Sequence, residues 1–184
     1  SEEVPKDYLD QIKILLKKSK VVALGEIGLD YFKNISDKKI QKNIFSEQLE
    51  LAQEINAPIV FHNRDSDKDI LDTLSKFPDV IGVAHCFSST YEVAKKLIDM
   101  GFYISFSGNL TFKNSHLPDV AKKLPLNKIL VETDSPFLSP VPHRGKVNEP
   151  GRTRFVAELL AKLHGSTINQ IASITTNNAN NLFN

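Results

Sequence analysis

KILVETD, residues Lys128–Asp134, decides how this chain is read. Three apolar residues, Ile129, Leu130 and Val131, run straight into Glu132, Thr133 and Asp134. An unbroken apolar run of this length fits a strand covered on both faces, as in parallel sheets, and this one stops in chemistry. The same grammar occurs three times upstream. VVALGE stops at Glu26, PIVFH at His62 and VIGVAH at His85. A single strand-end histidine is commonly a hydrogen-bonded structural residue. Four strand ends that each carry a carboxylate or an imidazole point instead to one shared site.

Between these strands the spacing predicts helices. Apolar residues at helical spacing cover 5–18, 37–55 and 67–77, and a helix through Val93, Leu97 and Ile98 ends at Gly101. Ser89 with Glu92 is expected to cap that last helix as a capping box. Val21–Leu24, Pro58–Phe61, Val80–Ala84 and Phe102–Phe106 read as strands, with KILVETD as the fifth. A short helix over 117–124 precedes it, and helices over 153–164 and 167–182 close the chain, the second opened by Thr167 and Gln170. Strands alternating with helices require a parallel sheet with right-handed crossovers. Polar residues at the C-terminal ends of several different strands favour a barrel, and no GxGxxG or Walker-type loop marks a doubly wound sheet. The expected fold is therefore α/β, a (β/α) TIM-type barrel forming a single domain over 1–184. Only five strands can be counted against the usual eight, so the barrel is expected to lack its N-terminal strands.

The bulk numbers narrow the function classes. A formal net charge of +1 over 184 residues gives no global field for nucleic acid, so any such contact must come from a local basic cluster. One cysteine, Cys86, excludes an intrachain disulfide and fits a reducing compartment, with a cytoplasmic location expected. No apolar run approaches the ~18 residues of a membrane span, and the acidic start SEEVPKDYLDQ is not a signal peptide.

Glu26, His62, His85 and Asp134 make a mixed nitrogen–oxygen donor set, suited to Zn, Mn, Co or Fe, or to Mg where carboxylates and water dominate. Glu132 precedes Asp134 by two residues, so both can face one side, and an orienting role behind the metal is expected for it. Arg64 follows His62 by two. Arg144 and Lys146 flank Gly145 in a proline-rich loop over 139–150 that also holds Asn148. These four are the candidate phosphate contacts, because guanidinium matches phosphate in a bidentate manner. Phe112, Phe137 and Tyr31 are candidate stacking residues at the mouth, with core packing the first expectation for Phe137. Cys86 adjoins His85 but would face the opposite side of a strand, so it reads as a small buried residue rather than a nucleophile.

Five blocks now carry a resemblance. GEIGLDY (25–31), PIVFHNR (58–64), HCFS (85–88), ETDSPFL (132–138) and RGKVNEP (144–150) resemble, in order, the TatD family of metal-dependent deoxyribonucleases. The resemblance covers essentially the whole chain and implies a metallohydrolase barrel. It implies two divalent ions (Mg, Mn, Zn or similar) bridged by Glu26, with His62 and His85 on one and Asp134 on the other. Glu26 and Asp134 are then the catalytic carboxylates. Phosphodiester hydrolysis in DNA follows as the expected activity, from a 3′ end, with single-stranded DNA as partner. Two departures stand out. The family opens with a His-x-His strand, and this sequence contains no His-x-His. The expectation is a chain that starts before the family's third strand, leaves the Asp134 ion under-ligated and associates with an N-terminal segment. Ser89 also stands where the family usually has glycine. Two alternatives remain open: a shortened, catalytically weak relative acting as a binding module, and a barrel metallohydrolase acting on another ester or an amide.

Overall fold

The computed structural model describes residues 4–32 and 35–184. Five parallel strands form one sheet: β1 (Leu24–Asp30), β2 (Ile59–Arg64), β3 (Gly82–Ala84), β4 (Tyr103–Phe106) and β5 (Ile129–Val131). Each strand lies beside its predecessor in the chain, in the order β1-β2-β3-β4-β5. A doubly wound sheet reverses its order at a switch point, whereas a barrel wall runs in sequence. The helices are α1 (Tyr8–Leu16), α2 (Lys38–Glu54), α3 (Asp67–Leu74), α4 (Tyr91–Asp99), α5 (Leu117–Ala121), α6 (Thr153–Leu163) and α7 (Ile168–Phe183). Among the described residues no helix is long and apolar enough to cross a membrane.

Strand pairing sorts the side chains into two faces. Phe61, Ala84, Ile104 and Ile129 align across β2 to β5 and are buried in the main core with the helices. Val60, Val83 and Tyr103 form the neighbouring row on the opposite face. There Val83 and Leu130 pack with Leu182, and Phe183 of α7 lies against them. His62 comes two residues after Val60, His85 two after Val83, and Glu132 two after Leu130. One register therefore carries all three polar side chains onto this second face.

Local chemistry explains where the helices begin. The Asp37 carboxylate accepts the Lys39 and Ile40 amides and starts α2, which buries Phe45, Leu49, Leu51 and Ala52. Thr167 and Gln170 form the expected capping box of α7. The cap of α4 differs from expectation. Thr90, not Ser89, accepts the Val93 amide, while the Ser89 hydroxyl donates to Asp67.

The first strand also differs. Val21 and Val22 are exposed and precede β1, which starts at Leu24 and continues past Glu26 to Asp30. The two glycines of GEIGLDY point in sequence to close backbone approach or unusual dihedrals, and the structure shows both. A Cβ on Gly25 would lie 2.7 Å from Val60 Cβ, and one on Gly28 would lie 2.1 Å from the His62 carbonyl oxygen. Gly28 also has φ +129°, a region L side chains rarely adopt. Between Gly25 and Ile27 the pairing slips by a residue, a bulge that leaves Glu26 without a ladder partner. Bulges re-aim side chains beside functional sites. Gly28→Ala is expected to separate β1 from β2 and cost at least about 2 kcal/mol. Chemical denaturation checks this, and an unchanged midpoint would refute the close approach.

Candidate metal centre

The strands deliver an alternating chain of carboxylates and imidazoles. Glu26 Oε1 stands 3.3 Å from His62 Nδ1 and 3.4 Å from His85 Nε2. Behind His62, its Nε2 faces Asp30 Oδ2 at 3.3 Å; behind His85, its Nδ1 faces Glu132 Oε1 at 2.9 Å. The order is Asp30, His62, Glu26, His85, Glu132. Donor atoms of Glu26, His62 and His85 all lie within 4.8 Å of one another. That is the span one divalent ion can collect.

Electrostatics fit a cation at this place. Burial disfavours protonation of His85, yet the hydrogen bonds and charges of Glu132 and Glu26 outweigh it and push its pKa up to about 10. The hydrogen bond from His85 holds the Glu26 carboxyl below its usual range, against the desolvation that raises it. Carboxylates that hold a proton on an imidazole this firmly would also hold a metal in its place, with proton release. The donors are the mixed nitrogen and oxygen set that Zn, Mn or Fe prefers.

Asp134 is not one of the three residues that converge within 4.8 Å. It follows β5 in a left-handed conformation, φ 57°, which aspartate tolerates better than most residues. Burial raises its pKa; the negative charges of Glu132 and Glu26 add to this, and His85 and His62 pull against it. Asp134 thus feels the whole cluster.

The candidate phosphate contacts divide. Arg64 stands beside Asp30 in the sheet register, and its Cζ lies 3.8 Å from the centre of the Phe32 ring. Arg144 stacks likewise on Phe112 at 3.7 Å, and Lys146 is exposed in the same loop. Asn148 corrects the expectation. It is 4% exposed, and its amide donates to the carbonyls of Thr133 and Phe137, both at 2.8 Å. With both hydrogens committed, it holds the loop after β5 and presents no donor to a phosphate. Arg152 fastens the same loop through Ser139 and the Val147 carbonyl. Phe137 corrects a second expectation: it is 67% exposed rather than in the core. The Tyr31 hydroxyl donates to Asp69 at 2.7 Å. Cys86 lies 3.0 Å from the Ser107 hydroxyl, and burial pushes its thiol up to about 12, so it is inert as a nucleophile at neutral pH.

Asp30 escaped the sequence reading. Its signal was present in the two-residue step Glu26, Gly28, Asp30, but a strand taken to end at Glu26 hides it. Partners behind metal-binding histidines fix ring orientation, and losing one typically costs about 10–100-fold in metal affinity. Asp30→Ala and Glu132→Gln are each expected to weaken divalent-ion binding by about that factor while the protein stays folded. Calorimetric titration reads this directly, and unaltered affinity in both would remove the carboxylates from the site.

Comparison with known proteins decides the lineage. The family model described as TatD related DNase matches residues 1–184. This chain belongs to the TatD family. It is 47% identical over 184 residues to the Bacillus subtilis protein named uncharacterized metal-dependent hydrolase YabD, covering 98% of this chain and 72% of that one. Identity to the similarly named YcfH of Escherichia coli is 46% over 178 residues, covering 95% and 67%. Among solved structures, the TatD homologue YjjV of Escherichia coli superposes with a TM-score of 0.92 at 32% identity, covering 99% of this chain and 72% of that one. A TatD family hydrolase from Entamoeba histolytica gives 0.84 at 26% identity, covering 97% and 69%. The five-stranded parallel sheet is thus a TatD-type α/β barrel wall, and the chain is of a metal-dependent hydrolase family.

Proposed function

We propose that this TatD-family chain hydrolyses phosphodiester bonds in DNA, acting from a 3′ end. One observation carries the reading: the Glu26, His62 and His85 donors converge within 4.8 Å, with Arg64 two residues beyond His62 on β2. Glu26, His62 and His85 would hold a divalent cation, which would act as a Lewis acid toward the phosphoryl oxygens. Two ions are proposed: Glu26, His62 and His85 would hold one, and Asp134 would help hold the second.

The chain's own groups do the rest. Glu26 lies between both imidazoles and orients them through one oxygen. Asp134, its pKa raised by burial, accepts the proton of the attacking water as general base. Arg64, Arg144 and Lys146 hold the phosphates of the strand on either side of the scissile bond.

Incubation with 3′- and 5′-labelled single-stranded DNA, with Mg or Mn and with chelator, tests this. Expected is loss of nucleotides from the 3′ end only, abolished by chelation and restored by metal. Turnover of another ester with no cleavage of DNA would overturn the substrate, and chelator-resistant cleavage would overturn the metal.

A further inference from the structure

One turn of helix fastens three strand ends from behind. Ser66 stands at the N-cap position of α3 but gives that helix no side-chain hydrogen bond. It is buried, and its hydroxyl lies 3.0 Å from the Leu29 carbonyl of β1 and 2.7 Å from Asn63 Oδ1 of β2. Asp67, the first residue of α3, uses both carboxylate oxygens. Oδ1 accepts the Asn63 side-chain amide at 2.6 Å, and Oδ2 accepts the Ser89 hydroxyl at 2.5 Å, from the loop that follows β3. The end of β1 is also held from α2: the Asp30 amide donates to Gln41 Oε1 at 2.9 Å, and the Gln41 side chain donates back to the Asp30 carbonyl at 3.1 Å.

Each of these contacts adjoins a member of the metal centre. Asn63 follows His62 in β2, and consecutive strand residues take opposite faces, so anchoring Asn63 fixes the direction in which His62 leaves the strand. Ser89 ends a short segment that begins at His85. That segment is tied to β4 by the Phe87 amide on the Ser105 carbonyl, and to α3 by Ser89 on Asp67. Leu29 precedes Asp30, whose carboxylate faces His62. Two simpler roles account for less. Capping α4 would occupy Ser89, but Thr90 does that. A favourable charge near the start of α3 would suit Asp67, but that needs no oxygen on each of two strand ends.

We propose that Asp67 is a positioning residue for the metal centre: as a strap between Asn63 and Ser89, it sets the separation of the His62 and His85 arms. The role rests on the metal centre described above and adds to it a residue outside the donor set. Glu26 reaches both imidazoles through one oxygen, at 3.3 and 3.4 Å, so the separation of the two arms decides how well three donors close on one ion. Supporting residues of this kind hold a site to within about 0.5 Å of its working geometry.

Asp67→Ala cuts both bonds. Ser89→Ala cuts one and leaves the charge at the start of α3. Each variant is titrated with Co(II) by calorimetry and by the visible absorption of the bound ion, beside its melting midpoint. Expected for Asp67→Ala is a loss of Co(II) affinity of about 10-fold, the lower end of the range for losing an outer partner of a metal ligand, with an altered visible band. Ser89→Ala loses affinity in the same direction and by less. The double variant binds no more weakly than Asp67→Ala, because both substitutions remove one shared bond. A fully additive loss would separate the two residues and overturn the strap. A lowered melting midpoint with wild-type affinity and an unchanged band would leave Asp67 as a helix-start residue and overturn the proposal. If Asp67→Ala does not fold, Ser89→Ala decides by the same readings. Wild-type protein that binds no Co(II) overturns the metal centre itself, whereas wild-type binding matched by both variants overturns the positioning role alone.

Discussion

Glu26→Gln is expected to lower metal-dependent hydrolysis by at least about 10³-fold while leaving the fold intact. The substitution keeps size and shape but removes the charge and turns one acceptor oxygen into an N–H donor. That charge sits 3.3 Å from His62 Nδ1 and 3.4 Å from His85 Nε2, at the middle of the carboxylate–imidazole chain. Glu26 is also the residue the β1 bulge exposes, with a side chain 53% exposed, so little packing depends on it. Thermal melting is expected to move by no more than a few degrees, as for other surface substitutions. Activity within about tenfold of wild type would show that Glu26 is not at the centre of the chemistry.

His85→Ala has a second large effect, of a different kind. Its side chain is only 15% exposed and joins Glu26 to the half-buried Glu132. Removal takes away a ligand nitrogen and leaves Glu132 without its 2.9 Å partner. An unpaired buried polar group costs about 1–3 kcal/mol, more for a charge. Both metal binding and stability should therefore fall. The double variant His85→Ala/Glu132→Ala separates the two, because it also removes the stranded carboxylate. Stability should recover in part and metal binding should not. A double variant no more stable than the single would mean that the contact between these residues contributes little.

Much of this was legible because parallel strands speak plainly. Apolar runs that end in His62, His85 and Glu132 follow the period of two that sends every second side chain to one face, so register alone carries them to the same side. The close backbone approach expected at Gly25 and Gly28 is present, against Val60 and His62. Asp30 is hidden because the apolar run Val21–Leu24 marks only the start of a strand that continues to Asp30. Asn148 and Phe137 were misjudged because a proline-rich loop has no periodicity from which to infer its inside. The Asn148 amide closes the loop, and Phe137 is turned outward by it. Ser89 and Thr90 show the finer limit: either hydroxyl could cap α4, and the competing Asp67 carboxylate decides between them.

Metal content tests the central claim most directly. The wild-type chain, loaded with Mn or Zn and passed through a desalting column, is expected to retain at least one equivalent by elemental analysis. Glu26→Ala, His62→Ala and His85→Ala, each verified as folded, are expected to retain almost none. Equal retention by the wild type and all three variants would contradict a metal centre built on these residues.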